Sequence, residues 1–124
     1  MSAYTKINFM DIEAGEGPSQ GRFSRKYIDS KDLGVTYWKF APNFKAEKGH
    51  KHSVQEEVYV VIAGSGRMLL NDKVEDLKQW DVVRVAPETT RAFEAGPDGL
   101  ELIIAGGPKP EGGDGERAQI TWPV

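Results

Sequence analysis

The sequence contains no cysteine among its 124 residues, which excludes disulfide bonds, thiolate metal ligands and cysteine nucleophiles. Long apolar runs are also missing. The longest, at 58–63, is far shorter than the roughly 20 residues that a membrane-spanning helix requires. The net charge is only −3, and no run of basic residues occurs. We therefore expect no membrane or nucleic acid partner, since nucleic acid binding needs clustered Lys and Arg.

The length fits one domain with its own hydrophobic core, and we expect a single domain over residues 1–124. Residues 1–9 lack the basic start and apolar stretch of a secretory signal, so we expect a cytoplasmic protein. A segment rich in Gly and Pro follows residue 105, and we expect 106–117 to be a flexible tail. Beyond it, Trp122 is expected to anchor the end of the chain.

Short apolar or alternating segments, rich in Val, Ile, Tyr, Phe and Trp, are separated by turn residues along most of the chain. This pattern predicts strands at 4–10, 22–28, 34–40, 57–63, 67–70, 74–77, 81–85, 91–94, 100–105 and 118–122. Many short strands with closely spaced turns favour an all-β sandwich or barrel. Helix is limited to single turns at 29–32 and 53–56.

Two of these segments, 58–62 and 102–104, are apolar at every position. A strand with one solvated face should alternate between apolar and polar residues. Continuous hydrophobicity indicates that one face fills a barrel and the other meets a second sheet or subunit. We therefore expect a homodimer.

The residues with the most distinctive chemistry lie close together at 49–57. The chain has only two histidines, His50 and His52, and residues two apart on a strand point to the same face. Two imidazoles with a carboxylate close behind form the ligand set of a catalytic transition metal. Alternatively, the two histidines belong to an exposed strand edge without function. The apolar strand that follows favours a buried site.

This stretch resembles the first motif of the cupins, in which His-x-His is followed by a short spacer, a Glu, six residues and a Gly. His50, His52, Glu57 and Gly64 fit that spacing. Asn43 stands at the place of the leading glycine of the motif, and Asn tolerates a left-handed backbone better than most residues. The resemblance implies an all-β cupin barrel (a jelly-roll-like, double-stranded β-helix) with its conserved core at about 34–105 and additional N-terminal strands within 4–28.

Two adjacent carboxylates compete for the role of metal ligand. Strict strand alternation from His52 selects Glu56, but a short loop at 53–55 would break that alternation. The spacing of the cupin motif to Gly64 selects Glu57, which we adopt, with Tyr59 and Val61 on the same inner face. Glu56 is then a solvated or dimer-facing side chain.

The second cupin motif is degenerate in this chain. Asp81 and Pro87 match it, but Glu88 replaces a glycine and Arg91 stands where a third histidine ligand is expected. Arginine offers only donors and cannot ligate a metal. Arg91 could therefore hold the anionic group of a substrate beside a metal, pair with Glu57 in a metal-free pocket, or lie at the rim as a surface residue.

The resemblance implies a divalent metal (Fe, Mn, Ni, Co or Zn) on His50, His52 and Glu57, together with a small anionic organic ligand held by Arg91. Tyr59 and Gln55 are further candidates for ligand contact. Trp38, Phe40 and Phe93 are candidates for the pocket wall, although aromatic residues on strands are more often plain core. Three functions remain open: a metal-dependent dioxygenase, isomerase or lyase; a non-catalytic binding module; and a metal-free cupin in which Arg91 replaces a metal ligand.

Overall fold

A computed structural model describes residues 3–123 of the chain. The predicted domain range of 1–124 also includes Met1, Ser2 and Val124, which lie outside the described residues. One 3-10 turn spans Phe9–Asp11 and one short helix, α1, spans Arg25–Ile28. The strands are β1 (Ser19–Phe23), β2 (Gly34–Phe40), β3 (Lys48–His52), β4 (Glu57–Leu70), β5 (Lys73–Lys78), β6 (Val82–Val85), β7 (Arg91–Gly106) and β8 (Gly115–Gln119).

All the described strands belong to one antiparallel sheet that curls on itself. Its main path is β1-β2-β7-β3-β8, and β4 pairs with β7, β5 and β6. The prediction of an all-β fold is therefore confirmed. No helix within residues 3–123 is long and apolar enough to cross a bilayer.

Two long strands, β4 and β7, form the bend of this sheet. Each joins two segments that the sequence predicts as separate strands, and their pairing is interrupted on both sides of Ala63 and Gly64. Gly64 has a φ of 75°, and a Cβ there would overlap the carbonyl oxygen of Gly99. Glycine therefore allows the two backbones to approach closely where the sheet bends.

The predictions for the N-terminal part were wrong at two places. Residues 4–10 form no strand, because the Asn8 side chain accepts a hydrogen bond from the Met10 N–H and starts the 3-10 turn. The predicted strand at 22–28 divides into the end of β1 and the helix α1, which stops where Asp29 adopts a left-handed backbone. The helical turn therefore precedes 29–32.

The core lies between the curled halves of the sheet. Tyr59 and Val61 of β4 are 2% and 1% exposed and contact this core, whereas Val58 and Val60 on the outer face are half-buried. The alternation expected for a strand is thus present in burial although not in residue type. A second subunit against the outer face stays a prediction.

The end of the chain is held against the barrel. In place of the last residues of the predicted flexible tail at 106–117, the structure has the strand β8, which pairs with β3 from Lys48 to His52. The Trp122 indole N–H donates to the Ala46 carbonyl at 2.9 Å, as expected for an anchor. The first residue of that range, Gly106, is the last residue of β7, and flexibility of 107–113 stays a prediction.

Candidate functional site

Strand β3 presents both histidines on the inner face of the sheet. β3 lies between β7 and β8, with His50 opposite Arg91 on one side and Arg117 on the other. The two imidazole rings meet edge to face, with centroids 5.4 Å apart. This strand was not among the predicted segments, but the expected placement of the two histidines side by side is present.

Glu57 reaches both imidazoles from the start of β4. Its Oε1 lies 3.4 Å from Nε2 of His52 and 3.8 Å from Nε2 of His50. One donor atom from each of the three residues lies within 4.8 Å of the other two. Residues 53–56 form an irregular connection. Glu57 can therefore face the histidines, although on one regular strand its odd-numbered spacing from His52 would put the two side chains on opposite faces.

These three donors fit a divalent ion. Ligand atoms that share one zinc-sized ion at about 2.0–2.2 Å lie roughly 3.0–3.6 Å apart. The 3.4 Å separation of His52 Nε2 from Glu57 Oε1 falls in that range, and the 3.8 Å separation for His50 slightly exceeds it. Two neutral imidazoles and one carboxylate are ligands that Fe, Mn, Ni, Co and Zn all accept.

The neighbouring carboxylate takes a different direction. Glu56 points outward and pairs with Arg84 of β6 at 2.7 Å, and both side chains are more than half exposed. The structure therefore places Glu57 at the histidines and Glu56 in solvent, in agreement with the choice made from the motif spacing.

Arg91 lies behind the site and not in the cavity, with a side chain that is 0% exposed. Its Nε donates to the Tyr59 hydroxyl at 3.2 Å and its Nη2 to Glu57 Oε1 at 3.2 Å. Its Nη1 donates to the carbonyls of Pro87 at 2.9 Å and Thr89 at 2.7 Å. This placement corrects the expectations that Arg91 holds a ligand anion or lies at the rim, because the guanidinium is already engaged at every nitrogen and sealed from solvent.

Tyr59 and Arg91 both act on the carboxylate of Glu57. The Tyr59 hydroxyl donates to Glu57 Oε1 at 2.5 Å. Burial favours a raised pKa for Glu57, but interactions with His50 and Tyr59 and the charges of His52 and Arg91 outweigh it and lower the pKa. Burial, together with the charge of Glu57, raises the pKa of Tyr59. The site thus combines an ionised carboxylate with a protonated phenol.

Asp114 completes the site from the Gly- and Pro-rich segment that was predicted only to be a flexible tail. Its Oδ1 lies 2.8 Å from Nδ1 of His52, and its Oδ2 accepts the backbone N–H groups of Val54 and Gln55 at 2.7 and 2.8 Å. Burial opposes ionisation, but these hydrogen bonds outweigh it and lower the pKa of Asp114 to about 2. An acidic residue between glycines in a Gly- and Pro-rich segment was the only signal in the sequence.

His50, His52 and Glu57, called here the metal-ligand cluster because they could hold a metal ion, open into a cavity of about 490 Å³, within the size range of small-molecule sites. Tyr59 and Gln55, both candidates for ligand contact, line this cavity. The Gln55 side-chain amide N–H donates to the Gly107 carbonyl at 3.0 Å. Contact of either residue with a ligand stays a prediction.

Aromatic rings form much of the cavity wall. The aromatic residues that line it are Phe23, Trp38, Phe40, Phe44, Tyr59 and Phe93. Phe40 stacks on Phe44 with centroids 5.3 Å apart and packs against Phe93 at 5.4 Å. Phe40 and Phe93 also belong to the buried core, so these two residues are both part of the cavity wall and part of the core.

Sequence comparison does not assign the chain to a family. No family model matches the chain. An uncharacterised protein of Methanocaldococcus jannaschii is 33% identical over 45 residues, which is 36% of each chain. This chain thus matches only about a third of the length of that curated relative.

Comparison of structures is more informative. A cupin protein from Bacteroides fragilis superposes with a TM-score of 0.74 at 17% identity, covering 87% of this chain and 86% of the other. Oxalate decarboxylase from Bacillus subtilis gives 0.78 at 19% identity, covering 97% of this chain and 33% of that protein. The nucleoside dehydratase Pac13 from Streptomyces gives 0.77 at 14% identity, covering 93% and 91%. The chain therefore has a cupin-type barrel fold, and its His-His-Glu cluster could hold a metal ion.

Proposed function

We propose that this barrel binds a divalent transition metal through His50, His52 and Glu57 and acts on a small anionic organic molecule in the adjoining cavity. The reaction classes that such a centre serves are those of a dioxygenase, an isomerase or a lyase. The observation that carries the proposal is the convergence of both Nε2 atoms on one carboxylate oxygen of Glu57, at 3.4 and 3.8 Å.

A metal held there would supply Lewis acidity or oxygen activation to the bound molecule. The residues around the metal would hold its ligands in position. Tyr59 and Arg91 fix the Glu57 carboxylate, Asp114 fixes the ring of His52, and aromatic rings line much of the adjoining cavity. Two structural neighbours are by name a decarboxylase and a dehydratase, both of them lyases, which supports a lyase among the three classes.

Elemental analysis of the purified protein tests the metal. We expect close to one transition metal ion per chain after loading, with losses of at least tenfold in affinity for His52→Ala and Glu57→Gln. Glu56→Gln is the matched control, because it neutralises the adjacent carboxylate outside the site. Full metal content in His52→Ala would contradict the assigned ligands.

A screen for turnover then separates an enzyme from a binding module. Each metal form is incubated with small carboxylates and sugar phosphates, and products are detected by mass spectrometry. Turnover that depends on both metal and Glu57 supports the enzyme. Ligand binding without product in any metal form would support the non-catalytic module.

One observation favours a metal-free alternative. Arg91 Nη2 lies 3.2 Å from Glu57 Oε1, so the buried carboxylate already has a positive partner without a metal. In that case the cavity holds an organic molecule alone. Absence of a stoichiometric metal after loading with each candidate ion would favour this second function.

A further inference from the structure

The Arg91 guanidinium is sealed behind the site and does not reach the cavity. An anion bound in the cavity therefore needs a different cation. Arg117 of β8 lies directly opposite His50 in the β3–β8 pairing and lines the cavity. Side chains that face each other across an antiparallel pair project from the same face of the sheet. Arg117 therefore projects beside the metal-ligand cluster.

Arg117 is free to accept a ligand. It is exposed, and across the described residues no hydrogen bond or ion pair engages its side chain. Arg25, which also lines the cavity, donates to the backbone carbonyls of Lys31 and Gly107 at 2.7 and 3.0 Å. The nearby carboxylate of Glu116 lies 3.5 Å from Lys51. Arg117 thus offers an unused planar fork, the group that best fits a carboxylate.

The aromatic part of the cavity wall selects for the rest of the molecule. Trp38 lies flat across Gly21, where a Cβ would overlap the indole ring, and its N–H is already used by the Ser19 hydroxyl at 2.9 Å. Phe40 and Phe44 stack nearly parallel, with an angle of 16° between their planes. Aromatic rings thus form much of the cavity wall, which favours a flat apolar body over one that carries many hydroxyl groups.

We propose that the ligand of this cavity is a carboxylate with a flat, aromatic body, its ring against Trp38, Phe40 and Phe44 and its carboxylate on Arg117 beside the metal-ligand cluster. This inference rests on the proposed function, in that it names the class of small anion that the cavity takes. A sugar phosphate would satisfy Arg117 but would bury its hydroxyls against rings that cannot hydrogen-bond to them.

Three probes separate charge from shape. The full-length, metal-loaded protein is titrated with sodium benzoate, with benzamide, which has the same shape without the charge, and with acetate, which has the charge without the ring. Binding is followed by calorimetry. We expect benzoate to bind at least about tenfold more tightly than either of the others, since each lacks one of the two recognised groups.

Substitution of the arginine locates the anion site. Arg117→Gln should weaken benzoate binding about tenfold and leave benzamide unchanged. Arg84→Gln is the control, because it removes an exposed arginine of β6 that pairs with Glu56 outside the cavity. Benzoate binding that is no tighter than acetate binding, or is unaffected by Arg117→Gln, would overturn the inference.

Metal content measured on the same samples distinguishes the two proposals. Loss of benzoate binding in Arg117→Gln with full metal content supports the ligand class alone. A wild-type protein that holds no metal yet binds benzoate through Arg117 would refute the metal centre and leave this inference intact. A metal-loaded protein that binds none of the three probes would refute this inference and leave the metal centre intact.

Discussion

The carboxylate of Asp114 lies 2.8 Å from Nδ1 of His52 and also accepts the backbone N–H groups of Val54 and Gln55. One side chain therefore fixes both a histidine ring and the connection that leads from it to Glu57. When the Nδ1–H group donates a hydrogen bond to Asp114, the Nε2 lone pair is left facing Glu57, as a metal ligand requires. The strand β8 immediately after Asp114 pairs with β3 and holds this arrangement in place.

Asp114→Asn should weaken metal binding by about 10–100-fold, the usual effect of removing a carboxylate that orients a histidine ligand. The uncharged amide has only one oxygen acceptor for the three donors that Asp114 now satisfies. Competition against a chromogenic chelator measures the affinity, and circular dichroism checks the fold. Glu116→Gln, two residues further on, is the control. Unchanged affinity in Asp114→Asn would show that Asp114 only braces the loop.

Two adjacent glutamates, each paired with one arginine, provide a comparison of buried and exposed charge. Arg91→Met leaves the buried Glu57 without its cation and should lower the free energy of unfolding of the metal-free protein by about 3–5 kcal/mol. Arg84→Met breaks the exposed pair with Glu56 and should cost about 1 kcal/mol or less. Urea unfolding followed by tryptophan fluorescence measures both values.

Bound metal should restore the stability that Arg91→Met loses, because an ion at Glu57 supplies the positive charge that Arg91 provided. We therefore expect added Mn²⁺ or Zn²⁺ to stabilise Arg91→Met more than the wild type. If the metal raises the unfolding midpoints of the two proteins equally, the ion does not bind at Glu57.

The barrel and the cluster of His50, His52 and Glu57 were predictable from local pattern together with the resemblance to the cupins. The spacing of His50 and His52 suffices to put two imidazoles on one strand face, and the spacing to Gly64 in the cupin motif selects Glu57, the carboxylate that the structure places at the histidines. The side chain of Tyr59 follows Glu57 into the interior by strand alternation alone.

The remaining parts of the site depend on long-range pairing, which no local pattern encodes. Asp114 reaches His52 across 62 positions in the chain, from a segment whose composition suggested only flexibility. The identity of Arg91 was informative, but its direction depended on the carbonyls of Pro87 and Thr89, which hold the guanidinium behind the site. Arg117 became a candidate only once the β3–β8 register was known.

Gly64→Ala should destabilise the barrel by more than about 2 kcal/mol. The φ of 75° costs a residue with a Cβ about 1–2 kcal/mol, and the new atom would also overlap the Gly99 carbonyl. Gly15→Ala is a matched control, since Gly15 has a φ of 74° with nothing within 4 Å of the added carbon. The free energies of unfolding of both variants are measured by chemical denaturation, and the difference between their losses is the cost of the overlap. Equal losses would mean that β4 and β7 can separate at the bend without cost.

Tyr37 gives the protein a stability change at alkaline pH. Its hydroxyl donates to Glu101, and burial, followed by this hydrogen bond and the charge of Glu101, raises the pKa of Tyr37 from 10.0 to about 12, against an opposing effect of Arg22. The unfolded chain therefore loses the phenolic proton at a lower pH than the folded chain. The contribution of Tyr37 to stability is fully present below pH 10 and is lost as the pH rises toward 12. Thermal unfolding midpoints from pH 8 to pH 11.5 should fall less steeply in Tyr37→Phe than in the wild type, and parallel curves would mean that folding does not raise the pKa of Tyr37.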